Sequence, residues 1–137
     1  MPNLNELMEA VEENDWEFVN KQIGETVTDP DIIGWALRGF HHPSREFRDL
    51  AATILWKSRV SIPLHTQTII LDRIRNDQHL YVRFHLACAL FTRGDRSDLV
   101  IDTLKQSLGN PNIAEIARGY LDQAKREKEA AKQQHSS

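Results

Sequence analysis

The residues best equipped for chemistry are arginines, and they recur in pairs. Arg48 and Arg83 lie 35 residues apart, as do Arg38 and Arg73. A guanidinium is always charged and presents a rigid fork of donors suited to carboxylates or phosphates. Asp77, six residues before Arg83, is placed to cap the helix carrying that arginine and to pair with it. Arg38 and Arg73 fall away from the apolar stripes, where Trp35, His65, Arg75 and Lys105 can flank them. These six residues form the candidate binding set, a basic and partly aromatic surface for an acidic peptide or another anionic partner.

The remaining reactive types point less sharply. Six histidines are present, but none forms a helical i, i+4 pair and no HExxH or Cys/His spacing occurs. His79 and His85 are six apart and face different sides of a helix, so no metal ligand is assigned. The single cysteine, Cys88, sits in an apolar stretch and reads as a small core residue. No GxSxG, GxGxxG, CxxC or phosphate-cradling glycine loop appears, so neither catalytic residues nor a cofactor are expected. Trp56 falls off the stripe made by Leu50, Ile54 and Leu55 and marks a candidate partner or self-association patch.

Charge is unevenly distributed. Residues 1–37 hold nine acids and one lysine, residues 38–96 hold nine arginines, one lysine and five acids, and the rest balances. A net charge of −3 therefore conceals a basic middle that can present a local positive field. No apolar run approaches the roughly 20 residues of a membrane span. The N-terminus is acidic and amphipathic, unlike a secretory signal, and a lone cysteine fits a reducing compartment, so the expected location is cytoplasmic.

These residues must be positioned by helices, because every apolar pattern has a helical period. Leu4, Leu7, Met8 and Val11 make the first stripe. Asp15 is placed to cap a second helix that turns after Gly24, and Asp29-Pro30 to open a third. His42-Pro43 opens a fourth, and Ser61 with Pro63 a fifth whose inner face is Thr66, Ile69, Ile70 and Ile74. Asp77 is expected to cap a sixth, which has so little polar surface that it should be the most buried. Gly94-Asp95 breaks it; a seventh helix ends near Gly109, and an eighth follows Asn110-Pro111.

The segments HPSREFRDLAATIL (42–55) and DQHLYVRFHLACAL (77–90) align at a 35-residue offset without a gap. Arg48 matches Arg83, Ala52 matches Ala87 and Leu55 matches Leu90. A period of this size marks an array whose units bury their apolar faces on each other. Pairing helices three with four, five with six and seven with eight gives the units. The expected fold is therefore all-α: an α-α superhelix, a right-handed solenoid of about four antiparallel hairpins. Residues 1–28 form a capping hairpin, 29–125 the array, and 126–137 a charged, partly disordered tail.

His42, Pro43, Phe47, Arg48, Ala51, Ala52 and Leu55, repeated as Asp77, Val82, Arg83, Ala87 and Leu90, resemble the HEAT-like repeat. The short-period form seen in phycobilisome lyase subunits is the nearest variant. A tetratricopeptide array competes at this period, but its Trp, Gly and Tyr signature is not legible. The resemblance implies that Arg48, Arg83 and Asp77 belong to a structural ladder between units. It also implies that Arg38 and Arg73, assigned to the second helix of each hairpin, line a concave binding face. The function it implies is a non-catalytic protein-interaction scaffold. Nucleic-acid binding through the basic middle and a role as an accessory lyase or chaperone subunit are the alternatives.

Overall fold

The computed structural model describes residues 3–23 and 29–135. Among them are eight α-helices and no strand: α1 (Leu4–Glu12), α2 (Trp16–Ile23), α3 (Pro30–Gly39), α4 (Arg45–Lys57), α5 (Leu64–Asn76), α6 (Leu80–Phe91), α7 (Asp98–Ser107) and α8 (Ala114–His135). The turn expected after Gly24 lies outside the described residues. None of these helices is long and apolar enough to cross a membrane.

Local chemistry explains where most helices start and stop. Asn3 accepts from the Glu6 amide at 2.8 Å, and Asp15 from the Phe18 amide at 3.2 Å, satisfying first-turn donors. Between α1 and α2, Asn14 takes a left-handed φ of 59°, which asparagine tolerates better than most residues. Asp29 caps α3 through the Asp31 amide, with Pro30 inside the first turn as expected. Gly94, at φ 99°, makes the sharp exit from α6 that a side chain would strain.

Several boundaries differ from expectation. The cap of α4 is Ser44, while His42 accepts from the Ser44 amide at 2.9 Å and sets the turn before it. Position His79, not Asp77, caps α6; Asp77 acts one step earlier by accepting from the His79 amide at 3.0 Å. Helix α8 continues without a break through position 126 to His135, so helix runs into the segment assigned to the tail. Arg96 holds that extension, binding both oxygens of Glu127 at 2.9 and 3.2 Å and lying 3.5 Å over the Phe91 ring.

Packing centres on two helices. Helix α4 lies against α6 more extensively than any other pair, with α3 on α4, α5 on α6, and α7 between α6 and α8. Helix α1 closes the other side of α4. As expected, α6 is the most buried: Val82, Phe84 and every residue from Leu86 to Phe91 are in the core. Facing it, α4 buries Phe47 and Leu50 through Leu55. Small residues at Ala51, Ala52, Ala87 and Ala89 permit the close approach. Each large aliphatic or aromatic side chain buried there contributes about 1.5–3 kcal/mol.

Candidate binding groove on the α4–α6 face

One face of the central helix pair combines polar and aromatic side chains. Asp49, Thr53 and Trp56 follow one another at helical spacing on α4, and Tyr81 and His85 do so on α6. Helix α2 adds Trp16 and Asn20 on one side. Asn112 and Ile113 from the turn before α8, and Ile116 from its first turn, line the other. Together with Lys57 these residues enclose a groove of about 480 Å³. A second depression of about 420 Å³ shares Trp56 and Lys57 and runs towards Arg93 and Tyr120.

The walls are held by contacts between distant parts of the chain. Asp49 binds His85 through Oδ1 and Nδ1, leaving the opposite edge of the imidazole clear of that contact. The His85 ring stacks on Trp56, with centroids 5.5 Å apart and planes 22° from parallel. Trp56 Nε1 donates to the Tyr120 hydroxyl at 2.8 Å, and Lys57 Nζ lies 4.0 Å over the indole. Burial raises the ionisation of Tyr120 above its ordinary value, against the opposing pull of the Trp56 donor. The Tyr81 hydroxyl receives Asn112 Nδ2 at 2.9 Å, tying α6 to the base of α8. Tyr81 and Ile116 remain 37% and 40% exposed, unusually open for large apolar side chains in a lined depression. The groove thus brings aromatic surfaces together with amide, carboxylate and ammonium groups.

The six residues proposed from sequence lie elsewhere. Arg38 and Arg73 sit on α3 and α5, the first helices of the hairpins joined at 40–44 and 77–79, not the second helices as expected. The second helices, α4 and α6, form the central pair. Arg73 is already engaged: Nη2 meets His41 Nδ1 at 2.8 Å and Nη1 lies 4.0 Å from Asp77. That neighbour and, more strongly, burial hold the His41 imidazole below its usual range, with Asp72 opposing. Arg75 lies 3.8 Å from Asp72, Trp35 packs on the core beside Gly39, and His65 and Lys105 are exposed. None of the six lines the groove. Of the residues singled out as a candidate binding surface, Trp56, marked by its position off the stripe, is the one that lines this groove. Asp49/Thr53/Trp56 and Tyr81/His85 carried a usable signal, polar and aromatic residues three or four apart on the two helices that bury most of the core.

The ladder residues also divide differently. Arg48 Nε and Nη2 bind the two oxygens of Asp77 at 2.9 and 3.4 Å, and Nη1 donates to the carbonyls of His42 and Pro43 at 3.0 Å each. Asp77 thus joins its own repeat to the preceding one rather than pairing with Arg83. Its side chain is fully buried, and that of Arg48 is 13% exposed. Arg83, the equivalent residue one period later, makes no hydrogen bond or ion pair among the described residues, and its Nε is shut off from solvent. The position one period after Asp77 is Asn112, whose amide is committed to Tyr81.

Burial raises the Cys88 thiol well above its ordinary value, so it is not a ready nucleophile. Among the described residues no group of three His, Cys, Asp or Glu side chains could hold a metal ion. Nothing matches this chain in comparisons with protein-family models, curated proteins or solved structures.

Proposed function

We propose that this chain is a non-catalytic protein-interaction module, a small HEAT-like superhelix that takes a peptide segment of its partner into the α4–α6 groove. The observation that carries the reading is the groove itself. Trp16, Trp56, Tyr81 and Ile116 offer an apolar seat, and their supports are fixed by Asp49–His85 and Trp56–Tyr120 before any ligand arrives. Preorganisation of this kind reduces the ordering cost of binding. The 35-residue offset and the Arg48–Asp77 tie between successive hairpins support the HEAT-like reading. A lone buried Cys88 accords with work in the cytoplasm.

Selection of a displayed random-peptide library on the full chain tests this, with Ile116→Asp as the comparison. Ile116 is partly exposed, so a carboxylate there spoils the seat while sparing the core. Peptides sharing an aromatic or aliphatic anchor should be enriched on the wild type and lost on the variant. Equal enrichment on both, or no anchored consensus, overturns the groove as the binding site. Enrichment of nucleic acid instead of peptide would favour the basic middle.

A further inference from the structure

We propose that Arg83 is an open rung of the arginine ladder and receives a carboxylate from an acidic segment of the partner. The argument begins with the internal comparison. At one rung, Arg48 engages both oxygens of a buried aspartate and two carbonyls. At the next, the arginine is kept but the aspartate position holds Asn112, which uses its amide on Tyr81. A half-buried guanidinium whose Nε has neither solvent nor a partner is a costly group to retain. A closed-off Nε alone would not distinguish it, since Arg73 has one too; but Arg73 engages His41 and Asp77 through its terminal nitrogens. At Arg83 the terminal nitrogens are uncommitted and are not shut off as Nε is. The filled rung states the chemistry that fits: a carboxylate, taken by the guanidinium fork.

This contact deepens the protein-binding reading and rests on it for the nature of the partner, but it is a separate place on the molecule. Arg83 lies two residues from both Tyr81 and His85, which puts it on the opposite side of α6 from the groove. A partner that fills the groove and carries an acidic segment to the far side of α6 would engage both.

The test is a titration of the full chain followed by the Arg83 Nε–Hε resonance, with an oligoglutamate peptide, sodium acetate and inorganic phosphate as probes. The two carboxylate probes should move that resonance and slow its exchange. Arg83→Gln should weaken oligoglutamate binding about tenfold or more, the worth of a charge-assisted pair. Ile116→Asp should leave the shift unchanged, so failure of the groove and failure of this contact are told apart. A resonance unmoved by carboxylates, a larger response to phosphate, or undiminished binding by Arg83→Gln overturns the proposal. If Arg83→Gln does not fold, the wild-type resonance decides.

Discussion

Two arginines that occupy the same place in the repeat should differ sharply in what they contribute to stability. Replacing Arg48 by methionine keeps the apolar stem and removes the guanidinium. The loss comprises a bidentate pair to Asp77 at 2.9 and 3.4 Å and donors to the carbonyls of His42 and Pro43. Asp77 would then be a fully buried carboxylate supported only by the His79 amide and by Arg73 at 4.0 Å. Breaking one side of a buried pair costs about 3–5 kcal/mol, and the remaining Arg73 places this case near 3. For a chain of this size that corresponds to a fall in Tm of about 10 °C. Arg83→Met removes no bond and frees an orphaned Nε, so its effect should stay within about 0.5 kcal/mol. Urea denaturation followed by far-UV circular dichroism measures both. A double-mutant cycle of Arg48→Met with Asp77→Asn should show a coupling of about 2 kcal/mol. Equal costs at Arg48 and Arg83, or a cost below about 1 kcal/mol at Arg48, would refute the reasoning.

Two further outcomes follow from the same structure. His41 is held below its ordinary value of 6.5, first by burial and then by Arg73, so below that pH the unfolded chain takes up a proton that the folded chain resists. Stability should therefore fall as the pH drops below about 6.5, and His41→Asn should flatten that limb in denaturation series across pH. Two glycines should respond in opposite directions to alanine. A Cβ on Gly39 would stand 3.1 Å from Ala51 Cβ and 3.2 Å from Trp35, whereas one on Gly119 meets nothing within 4 Å. Gly39→Ala should cost about 1–2 kcal/mol by overpacking. Gly119→Ala should stabilise α8 by up to about 1 kcal/mol, read as a shift in the denaturation midpoint.

The helices and most of the core were determined by the chain locally. Stripes such as Leu4/Leu7/Val11 depend only on neighbours within two turns, and caps such as Asp15 and Asp29 on amides two or three residues away. The dominance of α6 in the core followed from its lack of a polar face. Beyond that range the pattern ran out. The exact repeat at 35 residues made Arg48 and Arg83 look equivalent, yet the carboxylate that Arg48 binds lies 29 residues further on, at Asp77, and the residue at that offset from Arg83 is Asn112. The placement of Arg38 and Arg73 on the second helix of each hairpin differed for a related reason: periodicity says which side of a helix is apolar, but not which helices become the central pair. The groove belongs entirely to that higher level. Trp56 meets Tyr120 across 64 residues and Asp49 meets His85 across 36, and both pairings exist only because α4 packs on α6 and α8 returns beside them. Short-range spacing specifies the helices and their apolar faces; the relative placement of those helices decides which polar side chains converge.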